Sequence, residues 1–166
     1  MLFILQRPMA GVSGGKLAFQ TSRSGGLGFI AAGHFVNQRA FDKLEREIKI
    51  FKDLSESSSL SFPLCIGFIG HSTFGEDSPG LEYVRRILEE HKPDLIQIFA
   101  PAVSEDLPME FVSPSSTTSS SYNNNVLMCQ SYGCQVVAQV GSVKDGIRAL
   151  NAGVDCLIAQ GTEAGG

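Results

Sequence analysis

Five stretches of this 166-residue sequence set glycine and small residues directly after apolar runs, beside a few side chains able to do chemistry: PMAG (8–11), AAGHF (31–35), GHSTFGED (70–77), FAPAV (99–103) and QGTEAGG (160–166). Glycine at such points lets a ligand approach the backbone closely, and the free amides can point at anionic or carbonyl oxygens. Small residues beside a methionine suit a flat aromatic ligand. Any one of these loops reads as an ordinary turn. Their joint occurrence after successive apolar runs points to one shared site.

Titratable candidates are few. The histidines are His34, His71 and His91. His91 ends a helical pattern before Lys92-Pro93, where a cation suits the helix dipole, so its role reads as structural. His34 and His71 sit in strand-end loops and face either solvent or a ligand. Glu163 reads as a carboxylate that orders its loop by accepting backbone amides, with catalysis as the alternative. Glu76-Asp77 near His71 lacks metal-ligand spacing, and no metal is expected. GVSGG (11–15) and GGLG (25–28) lack the Lys-Ser/Thr ending of a phosphate loop and read as turns. Cys65, Cys129, Cys134 and Cys156 form no C-x-x-C pair. Cys65 and Cys156 lie in strand-like runs, where a buried reduced thiol packs as a small apolar side chain. A reducing, cytoplasmic setting fits.

The elements that must position these residues alternate along the chain. Leu2–Gln6, Leu27–Ala31, Leu64–Ile69, Leu95–Phe99, Val136–Val140 and Val154–Ala159 read as strands. Lys16–Ser24 reads as a short helix. A helix over 41–54 places Phe41, Leu44, Ile48 and Phe51 at three-four spacing, with charged residues opposite. Ser78-Pro79 is a helix start, serine as N-cap and proline at the first position, and Leu81, Val84 and Leu88 line the buried face. Ser142 with Asp145 resembles a capping box, and Gly153 ends that helix. The rhythm breaks at SPSSTTSSSYNNN (113–125), a low-complexity insert where a fourth helix belongs and only fragments of one are visible.

Strands alternating with helices predict an α/β fold with a parallel sheet and helices outside it. The alternation alone does not choose between an open doubly wound sheet and a closed eight-stranded barrel, which takes about 250 residues. Apolar residues make up 43% of the chain, enough for a core, and the net charge of −4 with scattered basic residues argues against nucleic acid. No apolar run approaches the roughly 18 residues of a membrane span, and MLFILQRP reads as a first strand, not a signal peptide.

PMAGVSGGKLAFQTSRSGGLGFIAAG (8–33) resembles the opening of the nitronate monooxygenase family, formerly the 2-nitropropane dioxygenases. AQVGSVKDGIRALNAGVDCLIAQGTEAGG (138–166) is similar to the middle of the same family, and the wording is closest to its fungal type. The resemblance implies a TIM (β/α)8 barrel, of which this chain supplies about the first six strands as one partial domain over 1–166. It implies FMN bound non-covalently and oxidation of an alkyl nitronate by O2 to a carbonyl compound and nitrite. It places Met9, Ala10 and Gly11 against the flavin, with Gln160 and Gly165 also touching it. Many members carry asparagine near the end of strand three, where this chain has Gly67, so either that amide contact is lost or the loop belongs to a glycine subtype. The family's catalytic histidine would follow Gly166, so no catalytic residue is expected inside the chain. The alternatives are a truncated, non-catalytic polypeptide that self-associates through an open barrel edge, and an FMN-dependent enoyl reductase, whose barrel and E-A-G-G-H loop are similar.

Overall fold

The computed structural model describes residues 4–74, 78–99 and 121–161. Six strands make one sheet: β1 (Leu5–Gln6), β2 (Leu27–Gly33), β3 (Cys65–Ile69), β4 (Leu95–Phe99), β5 (Gln135–Val140) and β6 (Cys156–Ala159). Every neighbouring pair is parallel, and the spatial order is β1-β2-β3-β4-β5-β6. A doubly wound sheet reverses direction at a switch point, whereas this one never does. Strictly sequential parallel strands with helices between them form a half-barrel.

The helices are α1 (Gly15–Arg23), α2 (Gln38–Ser57), α3 (Gly70–Thr73), α4 (Gly80–His91), α5 (Ser121–Ser131) and α6 (Val143–Asn151). α2 buries Phe41, Leu44, Ile48 and Phe51, the face expected from spacing, but starts earlier because Asn37 accepts a hydrogen bond from the Ala40 amide and caps it. The cap of α4 falls one residue later than expected. Pro79 takes the N-cap position, and the Ser78 hydroxyl accepts from the Gly80 amide while donating to the Ser72 carbonyl. At α6 Ser142 accepts from the Asp145 amide, as expected. α3 turns GHST, expected as loop, into a single helical turn.

The fourth-helix position is filled after all. α5 recruits the asparagines at the end of the low-complexity run, and the reason is a buried contact that composition cannot show. Asn125 is buried and donates through Nδ2 to the Phe74 carbonyl at 3.1 Å, while Val126 and Cys129 enter the core. The rest of that run, 113–120, lies outside the described residues.

Alternation along the strands separates two faces. Ile30, Ile66, Phe68, Ile96, Ile98, Val136, Ala138 and Val140 point outward and pack with the helices in one apolar core. Ala31, Gly67, Gln97 and Gln139, at the other parity, face the concave side. On that concave side Phe29, Cys65 and Val137 are buried, whereas Phe99 is 38% exposed at the cavity. In a curved sheet, neighbouring inward side chains cover one another. Large apolar side chains are exposed along α6, where Val143, Ile147 and Leu150 are 81%, 54% and 56% exposed, and also at Ile4, Val12, Leu60 and Leu127.

Candidate functional site

The loop after β1 is held by one buried hydroxyl. Ser13 Oγ accepts from the Met9 amide at 2.9 Å and from Gln6 Nε2 at 2.7 Å, and donates to the Arg7 carbonyl at 3.0 Å. Val12 and Ser13 amides both return to the Met9 carbonyl, and Gly11 takes φ +78°, a conformation glycine adopts without strain. The Ala31 amide donates to the Ser13 carbonyl, tying the loop to β2. Gln6 Oε1 accepts from the Phe29 amide, so one glutamine links loop and sheet.

This fixed loop closes over the carboxyl ends of the strands and leaves a cavity of about 470 Å³. Its walls include Pro8, Met9 and Ala10 from the loop, Ala31 and Gly33 from β2, Gly67 from β3, and Gln97, Phe99 and Gln139 from β4 and β5. Arg7 reaches it as well. The cavity lies at the C-terminal edge of the sheet, where parallel α/β folds place ligands.

Three of the residues singled out in the sequence, Met9, Ala10 and Gly67, therefore meet at one cavity. Gly67 does so for a packing reason: a Cβ there would lie 2.3 Å from Pro8 Cγ. No side chain at 67 fits while Pro8 holds its place. Gly11 faces the neighbouring hollow formed with Ala31, Lys43 and Glu47. Gln160 joins the site through Gln139, whose Nε2 donates to Gln160 Oε1. Gly165 and Glu163 lie outside the described residues, as do Glu76 and Asp77.

The sequence reading missed Gln97 and Gln139. Gln97 is fully buried and donates through Nε2 to Gln139 Oε1 at 2.7 Å. The signal was present: a glutamine in the middle of LIQIF and one near the end of VVAQV are polar interruptions in runs otherwise apolar.

The remaining candidates have structural partners. His91 Nε2 meets Glu45 Oε1 at 2.5 Å and its Nδ1 meets Lys52 Nζ at 3.1 Å, joining α4 to α2. His34 and His71 stack edge-on with centroids 6.1 Å apart, and His34 Nδ1 lies 3.0 Å from Ser72 Oγ. None of the three histidines lines the cavity. Among the described residues, the sole cluster of three possible metal-binding groups is Glu45, Glu90 and His91 on the outer helices.

The glycines of GVSGG are packing and capping positions. The Gly15 amide donates to Glu47 Oε2 at 2.8 Å, so a carboxylate of α2 already occupies the start of α1. All four cysteines are free thiols. Burial, with Asp94 nearby, pushes the Cys65 thiol up to about 12, and burial pushes Cys129 to about 12 and Cys134 to about 11. Cys156, expected to be buried, is exposed on β6, because no strand covers that edge among the described residues.

A family model described as nitronate monooxygenase matches residues 1–166. A nitronate monooxygenase of Neurospora crassa is 28% identical over 168 residues, covering 98% of this chain and 43% of the relative. A probable nitronate monooxygenase of Staphylococcus saprophyticus is 28% identical over 180 residues, covering 98% and 46%. The chain thus spans less than half the length of these curated relatives. Among solved structures, a nitroalkane oxidase from Streptomyces ansochromogenes matches with TM-score 0.67 and 19% identity over 96% of this chain and 46% of that one. FabK from Thermotoga maritima matches with TM-score 0.66 and 21% identity over 96% and 40%. At these identities the two structures speak to the fold alone, and the fold they share with this chain is the TIM barrel.

Proposed function

Since this chain belongs to the nitronate monooxygenase family, we propose that it holds FMN in the cavity beneath the β1 loop and serves the oxidation of alkyl nitronates by O2 to a carbonyl compound and nitrite. The observation that carries this reading is the convergence of Met9, Ala10 and Gly67 on one cavity walled by two buried glutamines.

The residues fit a flavin. The cavity is mostly apolar with a few placed polar groups, as cofactor sites are. Pro8 packs into the space a side chain at 67 would take, and Met9 and Ala10 line the cavity beside it. Gln97 Oε1 is buried without a hydrogen-bond partner among the described residues, an acceptor that a bound ligand would satisfy. Gly11, Gln160 and Gly165 are assigned to the cofactor by the resemblance. When bound, the flavin supplies a two-electron acceptor that passes reducing equivalents from the nitronate to oxygen. The chain's own part is to orient the ring, to keep water from its buried side, and to offer the Arg7 cation to an anionic substrate. The four free thiols accord with a cytoplasmic setting, and no helix among the described residues is long and apolar enough to cross a membrane.

The test is to load the protein with FMN, pass it over a desalting column, and assay nitrite from a primary alkyl nitronate. Retained flavin with nitrite release supports the reading, and absence of retained flavin overturns it. A second reading is cofactor binding without turnover by these residues alone, since among the described residues no histidine lines the cavity. Retained flavin without nitrite supports that one. Enoyl reduction, the other alternative, is supported only by the barrel shared with FabK, and NADH consumption with an enoyl thioester is its test.

A further inference from the structure

Three glutamines from three successive strands, Gln97 in the middle of β4, Gln139 near the end of β5 and Gln160 just after β6, form a one-way chain of hydrogen bonds. Gln97 Nε2 donates to Gln139 Oε1 at 2.7 Å, and Gln139 Nε2 donates to Gln160 Oε1. A primary amide has one acceptor oxygen and one donor nitrogen. Each link therefore fixes the polarity of the next. What is left over lies at the ends, and both ends are buried without partners among the described residues: the carbonyl Gln97 Oε1 and the amide nitrogen Gln160 Nε2. Gln97 is 0% exposed and Gln139 3%, and both line the cavity.

An isolated buried amide could rotate to hide its unpaired atom. Reversing any one of these alone breaks its link to the next. Leaving a buried acceptor unmet costs more than a hydrogen bond gains, so such an orphan calls for an explanation, and at a cavity wall a bound ligand supplies one. A partner for Gln97 Oε1 must be a donor placed inside the cavity.

We infer that Gln97 and Gln139 are positioning residues for the cofactor: Gln139 locks the Gln97 amide so that its carbonyl accepts from the imide N–H of a bound isoalloxazine. The inference rests on the flavin reading above and deepens it. It assigns a ligand edge, a ring N–H flanked by carbonyls, to a specific atom of this chain. The same chain of bonds leaves Gln160 presenting its NH2 as a donor.

The experiment compares two flavins, lumiflavin and 3-methyllumiflavin, which lacks the imide N–H. Dissociation constants come from quenching of flavin fluorescence by the full chain, alongside thermal unfolding. Wild type is expected to bind lumiflavin at least about tenfold more tightly than the methylated ring, the size of one good hydrogen bond. Gln97→Met and Gln139→Met fill similar space, and both are expected to abolish that preference while the unfolding midpoint stays within a few degrees. A role confined to stability would move the midpoint and leave the preference intact, and that result overturns the inference. Equal binding of the two flavins by wild type overturns it without recourse to any variant. Wild type that binds lumiflavin while both variants keep the preference overturns the inference but leaves the cofactor reading standing. Wild type that binds neither flavin overturns both.

Discussion

Gly67 on β3 and Pro8 in the loop after β1 are in contact so close that a Cβ at 67 would come within 2.3 Å of Pro8 Cγ and 2.6 Å of Pro8 Cβ. A strand residue thereby sets how far the loop can descend over the cavity, and the proline ring sets which residue the strand can carry.

Gly67→Ala is therefore expected to destabilise the fold by about 1–3 kcal/mol, the usual cost of overpacking. Pro8→Gly removes the obstructing ring atoms, Cβ included, so the double variant should recover part of the loss. Denaturant titration of the four proteins measures this as a coupling of about 0.5 kcal/mol or more. Strict additivity would show that the two residues do not constrain each other.

Ser13 is 3% exposed and holds the loop through three hydrogen bonds. Ser13→Ala leaves the Met9 amide and Gln6 Nε2 without that acceptor. A loss of about 1–3 kcal/mol is expected. Hydrogen exchange should localise it, with the Met9 amide exchanging faster while amides of α4 keep their protection.

The thiols should divide by exposure. Cys156 is exposed, whereas Cys65, Cys129 and Cys134 are buried with thiols held far above the ordinary range. The thiolate is the reactive form. Native protein at neutral pH should release one fast equivalent with a disulfide reagent, and Cys156→Ser should remove it. Unfolded protein should show all four cysteines.

The same burial has a consequence at alkaline pH. A thiol whose pKa is raised on folding favours the folded state fully below its ordinary value, and that contribution is lost as pH rises toward the folded value. For Cys129 the range runs from 9.0 to about 12. The thermal midpoint should fall as pH passes about 9, and Cys129→Ala should fall less steeply.

Val143, Ile147 and Leu150 lie exposed along α6, next to β6, whose outer edge has no strand beside it among the described residues. Exposed apolar stripes and open edges promote association. The 166-residue chain is expected to self-associate with rising concentration in sedimentation, and Ile147→Lys should shift it toward monomer. A concentration-independent monomer would contradict this.

Much was legible in the sequence because it depends on near neighbours. Strand and helix alternation, the buried face of α2 at Phe41, Leu44, Ile48 and Phe51, and the Ser142 cap all follow from local spacing and backbone chemistry. The quoted loop motifs, by resemblance, pointed to Met9, Ala10 and Gly67, which the fold brings to one cavity. What the sequence left open are relations across strands. The parallel order without a reversal selects a half-barrel over a doubly wound sheet, and only the paired register shows it. Asn123–Asn125 read as low complexity until the Asn125 contact with the Phe74 carbonyl gives them a helix to belong to. Gln97, Gln139 and Gln160 are separated by 42 and 21 positions, and nothing local links them. Their hydrogen bonds form because parallel strands bring alternate residues of successive strands to one concave face, and buried amides there must find one another.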